Sequence, residues 1–257
     1  RLSALGYTLD LQHTVFDFCE FCQYGKQTRS THSTHYDTVQ VPVVLIHTDL
    51  CGPMPEKSLG GSRYFVTFVD DATRRVWAYP LKTKDEAHNT FIRWCTEIEQ
   101  SSRRKVKILR FVNGGEYTSG AFTKYLRVKV IRHKCTAPYA PMQNGVAGRM
   151  NRTIQERVTE MLQHAKLKTE FWVEALHTTV YVINLFPSTA IGQQVPQAPL
   201  AGQTPRYVRL CIFGCEAYVF VPKGKRQKLA PRSMKCIFFG YGTNGQYGFR
   251  LWDPENQ

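Results

Sequence analysis

The stretch from Lys105 to Arg152 constrains the chain more than any other. It opens with an apolar, β-prone run, Val106-Lys-Ile-Leu-Arg110, and turns tightly at Phe111-Val-Asn-Gly-Gly-Glu-Tyr117. It closes on Thr136-Ala-Pro-Tyr-Ala-Pro-Met-Gln-Asn-Gly145, where a helix-spaced series begins: Val146, Met150, Ile154, Val158, Met161, Leu162 and Ala165. Apolar residues three and four apart share one face of a helix, whereas strand residues alternate. A strand, a Gly turn and a long one-sided helix commit this region to an α/β arrangement with helices laid on a sheet.

The rest of the chain fits that arrangement. Val43-Val-Leu-Ile-His-Thr-Asp49 is a short apolar run ending in a carboxylate, and Leu-Cys-Gly-Pro53 breaks it. It reads as a central strand, with Asp49 either capping the turn or marking a site at the strand end. Gly60-Gly-Ser62 is a hairpin signal before a second strand, Tyr64 to Val69, and Arg75 to Leu81 is a third. A helix follows from Lys84 through Gln100, with Ala87, Phe91, Trp94, Cys95 and Ile98 on one stripe and an acidic first turn that suits the helix dipole. Lys105 to Arg110 is expected as the fourth strand, Gly120 to Leu126 as a short helix, and Val128 to His133 as the fifth strand. Phe171 to Phe186 reads as an apolar helix stopped by Pro187. Residues 188–209 are rich in Pro, Gly and Gln and form the clearest boundary. Beyond it, strand-like runs at 210–221, 235–241 and 248–252, with a basic turn Lys223-Gly-Lys-Arg-Gln-Lys228, predict a small β-barrel.

Charge narrows the partner. The 257 residues carry a net charge of +14, with a pI of about 9.5. This fits either a polyanionic partner, whose phosphates release counterions to Lys and Arg, or a generally basic solvated surface. At 42% hydrophobic the chain can bury a core. Eight cysteines, six of them scattered among strand-like and helical segments, do not make a disulfide framework in so apolar and long a chain, and they imply a reducing compartment. No uninterrupted apolar run is long enough to cross a membrane, and none reads as a signal peptide. The first residue is Arg1, so the chain is expected to be a piece of a longer protein. The one metal-like pair is Cys19-Glu-Phe-Cys22. A structural zinc site needs four ligands, and His13, His32 and His35 do not complete the set convincingly. The pair is therefore either a zinc half-site or a clasp left incomplete by truncation or decay.

The strings at 111–117 and 136–152 resemble the integrase of copia-type retrotransposons, a DDE polynucleotidyl transferase. That family reads Asp-Asn-Gly-Gly-Glu at the turn and Pro-x-Gln-Asn-Gly-Val-Ala-Glu-Arg at the helix start. The resemblance implies an RNase H-like core, a mixed five-stranded sheet with flanking helices, followed by a small β-barrel. It implies domains at 1–40 (a zinc-knuckle-like remnant and linker), 41–187 (core), 188–209 (linker) and 210–257 (barrel). The family's three acids hold the metal ions, Mg2+, that activate the attacking oxygen and stabilise the leaving one. Asp49 matches the first. Val112 and Gly148 stand where the second and third belong, with the family spacing of 35 intervening residues intact. Asp70 and Asp71 match family letters on a neighbouring strand end. The resemblance further implies DNA as partner, contacted by Gln143, Asn144, Arg149, Arg152, Lys223, Lys225, Arg226 and Lys228, together with other integrase subunits and work in the nucleus. Read alone, Arg149 and Arg152 fit a solvated charged helix face equally well. With two of three acids replaced, the expectation is a degenerate, inactive integrase core that keeps nucleic-acid binding. The alternative is an active enzyme performing 3′-end processing and strand transfer with substitute ligands.

Overall fold

The computed structural model describes residues 39–111, 120–135, 144–201, 207–242 and 248–255. Cys19, Cys22, Val112 and Gln143 lie outside the described residues. Three antiparallel strands come first: β1 (Leu45–Cys51), β2 (Tyr64–Asp70) and β3 (Val76–Leu81). Helix α1 (Glu86–Ser102), β4 (Ile108–Phe111), α2 (Gly120–Val128) and β5 (Arg132–Cys135) follow. Strands β4 and β5 run parallel to β1, giving the order β3-β2-β1-β4-β5. Two long helices close the core, α3 (Gly145–Ala165) and α4 (Trp172–Leu185). This is the mixed five-stranded sheet of an RNase H-like core.

Strand β2, Tyr-Phe-Val-Thr-Phe-Val-Asp, is buried on both faces because helices cover both sides of the sheet. Its alternation assigns the layers. Val66 and Phe68 point into a cluster with Phe91, Trp94, Leu109 and Phe122 beneath α1 and α2. Phe65 and Val69 point the other way, into a cluster with Ile154, Trp172 and Leu176 from α3 and α4. The β1–β2 register sets His47 opposite Val69 and Asp49 opposite Thr67. Residues paired across a ladder share a face. His47 and Asp49 therefore both project toward α3.

Two expected elements moved. The fifth strand begins at Arg132 rather than Val128, because α2 runs through Val128 and the chain reverses at Val130, whose φ is 58°. Both valines are exposed, so their β-propensity is overridden by the position of the turn. The run expected from Leu210 holds a five-residue strand, β6 (Glu216–Phe220), because Gly214 adopts φ 81° and breaks it.

Short helix α5 (Ala198–Ala201) lies in the linker. Strands β6, β7 (Ser233–Tyr241) and β8 (Phe249–Trp252) form a separate three-stranded antiparallel sheet, order β6-β7-β8. This sheet lies directly on the core helices. Phe213, Ile237, Phe239 and Trp252 join the α3–α4 cluster, and Phe239 stacks on Trp252 at a ring separation of 5.6 Å. Gly240, at φ 134°, permits the approach: a Cβ there would collide with the Thr178 hydroxyl, which donates to the Phe239 carbonyl at 2.8 Å. Arg250 on β8 pairs with Glu174 on α4 at 2.7 Å.

Candidate functional site

Asp49 sits where β1 passes beneath the first turns of α3. Asn151 on that helix donates from Nδ2 to Asp49 Oδ2 at 3.1 Å, and its own Oδ1 accepts from Thr67 Oγ1 at 2.8 Å. The Leu50 N–H donates to Asp49 Oδ1 at 3.1 Å. The carboxylate is thus oriented by a three-residue bridge across β1, β2 and α3. Asn151 is only 5% exposed. The sequence had marked Val146, Met150 and Ile154 as the inner stripe. The deepest line instead runs through Ala147, Asn151, Ile154 and Leu162. A hydropathy stripe cannot single out a buried asparagine, although its helical spacing from Ala147 and Ile154 carried the signal.

Gly148 lies one turn before Asn151, on the exposed side of the helix. A Cβ added there would meet nothing within 4 Å. No packing contact therefore requires glycine at this position. Arg149 is exposed, and its guanidinium lies over Gly145 at the helix start. Arg152 projects into solvent at 81% exposure and pairs with Glu156 one turn on, at 2.8 Å.

Asn144 is placed differently from the expectation of a DNA contact. It is 1% exposed, its Nδ2 donates to the Thr48 carbonyl at 2.9 Å, and its Oδ1 lies 3.4 Å from His47 Nδ1. The other ring nitrogen of His47 lies 3.0 Å from Asp71 Oδ1, which also accepts from Arg74 at 2.9 Å. This chain of side chains ties the start of α3 to the middle of the sheet. Burial alone would raise the Asp71 pKa. Hydrogen bonds from His47 and the Val39 N–H, with the Arg74 charge, pull it down to about 2. Asp70 moves the opposite way, raised by burial, while it accepts from the Val43 N–H, the Thr73 N–H and the Thr73 hydroxyl. Asp70 pairs with Ile46 in the register, three residues along β1 from Asp49. Asp70 holds the β2–β3 turn, while Asp71 is engaged by His47, Arg74 and the Val39 N–H. Among the described residues, no group of three or more His, Cys, Asp or Glu side chains is gathered for a metal ion.

The basic turn lies on the small sheet. Lys223–Lys225 is a 3-10 turn, Lys223 and Lys228 are exposed, and the Arg226 guanidinium lies 5.9 Å over the Phe220 ring. Phe220 and Tyr218 are 66% and 67% exposed beside it. The sequence singled out the charges and missed these two rings, which alternate outward along β6.

Comparison with known proteins agrees with this geometry. Residues 40–141 match the family described as Integrase core domain, and residues 215–257 match the Retroviral polymerase SH3-like domain. The Retrovirus-related Pol polyprotein from transposon TNT 1-94 of Nicotiana tabacum is 48% identical over 210 residues, covering 82% of this chain and 16% of that polyprotein. Its counterpart from transposon RE2 of Arabidopsis thaliana is 35% identical over 204 residues, covering 79% of this chain and 14% of the relative. The chain thus spans less than a fifth of the length of these relatives. The simian T-cell lymphotropic virus intasome, solved in complex with PP2A regulatory subunit B56 gamma, superposes with a TM-score of 0.57. That match covers 91% of this chain and 85% of the other at 16% identity, a likeness of fold alone. No helix among the described residues is long and apolar enough to cross a membrane. With both of its domain types matched and 48% of 210 aligned residues identical to a transposon polyprotein, the chain belongs to the integrase family of copia-type retrotransposon Pol polyproteins.

Proposed function

We propose that this chain is a degenerate integrase core that has lost metal-dependent strand transfer and keeps a nucleic-acid-binding surface. The observation that carries this reading is the bare backbone at Gly148, with open space where the family's third acid would project. Magnesium requires hard oxygen ligands at fixed octahedral positions. One carboxylate at Asp49, an aliphatic Val112 and a glycine do not supply them. Asp70 and Asp71, the nearest acids by sequence resemblance, are already engaged, Asp70 by Val43 and Thr73 and Asp71 by His47, Arg74 and the Val39 N–H. The donor set does not fit a pair of metal ions. What survives is the orientation of Asp49 by Asn151.

The partner on this reading is DNA, met by Arg149 and Arg152 at the helix start and by Lys223, Lys225, Arg226 and Lys228 on the small sheet. The exposed rings of Tyr218 and Phe220 beside the basic turn add stacking surface for bases. Further integrase subunits and a nuclear setting follow from family membership. A nicking and joining assay with plasmid DNA in Mg2+ or Mn2+ tests the loss of chemistry. The expected result is no product above that of Asp49→Asn. Product that depends on Asp49 would reinstate the active enzyme with substitute ligands.

A further inference from the structure

We infer that the turn between α2 and β5 docks an acidic segment of another protein, one with aliphatic residues at its centre. Two reverse bonds close α2. The Ile131 N–H donates to the Leu126 carbonyl at 2.8 Å, and the Val130 N–H donates to the Arg127 carbonyl at 3.1 Å. This pattern sets Val130 in the left-handed conformation after the helix, at φ 58°, a position that glycine ordinarily fills. Left-handed backbone crowds a Cβ, and a β-branched side chain most of all. Val43 also has positive φ, and its full burial in the core offsets the strain. Val130 has no such offset: it is 81% exposed, and Val128 beside it is 75% exposed. Strain that packing within the chain does not offset indicates a contact outside it.

Cations surround the two valines. Residues 101–135 contain ten Lys and Arg and one acid, Glu116, so most of the chain's surplus of +14 lies in this stretch. The buried Glu99 carboxylate ties the loop after α1 to the turn after α2, with Lys105 at 2.8 Å and Lys129 at 3.4 Å on the same oxygen. The Arg132 N–H donates to the Lys107 carbonyl at 2.8 Å, and the Lys107 N–H donates to the Val44 carbonyl at 3.0 Å. These bonds set Lys107 and Arg132 side by side at the starts of β4 and β5. Arg103, Arg104, Lys107, Arg127 and Arg132 are all exposed, and among the described residues none of the five has an ion-pair partner. One carboxylate and two helix C-termini, each equivalent to about half a negative charge, do not balance them.

An apolar centre within a charged rim is the anatomy of a protein contact. A phosphate backbone would use the cations and leave both valines in water, so nucleic acid is the poorer match. A second copy of this chain would bring a net +14 of the same sign. Charge complementarity therefore selects Asp and Glu side chains flanking a short aliphatic centre, in a small contact that salt weakens. The starts of β4 and β5 lie away from Asp49, which sits near the end of the parallel β1. None of these cations belongs to the DNA surface proposed above, so the inference stands apart from that reading.

Fluorescence anisotropy with the full 257-residue chain at low salt provides the test. One labelled peptide carries acidic residues around a central pair of leucines, and a control carries serines in their place. The expected result is saturable binding of the leucine peptide, about tenfold tighter than the control. Val130→Gly should weaken the leucine peptide about tenfold while raising the urea midpoint, because glycine relieves the turn without unfolding it. Arg127→Gln combined with Arg132→Gln should weaken both peptides and reduce their salt dependence. No saturable binding, equal affinity for the two peptides, or full affinity in Val130→Gly would overturn the inference. Duplex DNA that loses as much affinity as the leucine peptide in the double arginine variant would assign this edge to nucleic acid, and would overturn it too.

Discussion

At the scale of single residues, Gly148 and Asn151 make opposite predictions although they lie one helical turn apart. Glycine in a helix interior costs about 1 kcal/mol relative to alanine, and nothing crowds a Cβ at position 148. Gly148→Ala should therefore raise stability by about 0.5–1 kcal/mol in urea unfolding. Asn151→Ala removes the amide that joins Thr67 to Asp49 in a buried setting. It should cost about 1–3 kcal/mol in the same measurement, the penalty of removing one hydrogen-bond partner each from a buried hydroxyl and a carboxylate. A destabilised Gly148→Ala would indicate that the glycine is required, against the reading of a lost acid. Asp49 was legible in the sequence because a strand of apolar residues ended in a carboxylate before Gly-Pro. Asn151 was not, because one polar residue inside an apolar stripe looks the same whether it faces solvent or a partner. Asn144 misled for the converse reason. Its motif marks the start of α3, but motif letters do not tell that its amide is turned inward to Thr48 and His47.

At the scale of elements, α4 presents a partly buried histidine near Arg250 of β8. Burial first, then the charge of Arg250, pushes His177 from 6.5 down to about 4. The fold therefore favours the neutral ring, while the unfolded chain protonates near 6.5. The stability this contributes is complete above pH 6.5 and is lost as pH falls through 6.5 toward 4, on the order of 3 kcal/mol in all. Urea midpoints across that window should decline in the wild type and flatten in His177→Gln. Glu174 is raised by burial and titrates in both proteins, so the difference between them isolates the histidine. Most elements were legible from apolar spacing: β1 to β4, α1, α3 and α4 stand within a few residues of their expected limits. Strand β5 and the first strand of the small sheet shifted because short β-branched runs near turns obey the turn, which spacing does not encode.

At the scale of the whole molecule, the sequence showed a surplus of positive charge but not its arrangement. Replacing Lys223, Arg226 and Lys228 together with alanine should lower the slope of log K against log salt for duplex DNA by about 2 to 3, near 0.9 per phosphate contact. An unchanged slope would remove the small sheet from the binding surface. The linker at 188–209 looked like the natural place to divide the chain, and composition supported that division. Yet Phe213, Phe239 and Trp252 complete the same apolar layer as Phe171 and Leu176, and Gly240 brings the sheet within reach of the Thr178 hydroxyl. Cutting at residue 187 to obtain a minimal core would lay bare a seam of aromatic rings on α4, and the product should clump during purification. A well-behaved minimal fragment has to extend past Trp252.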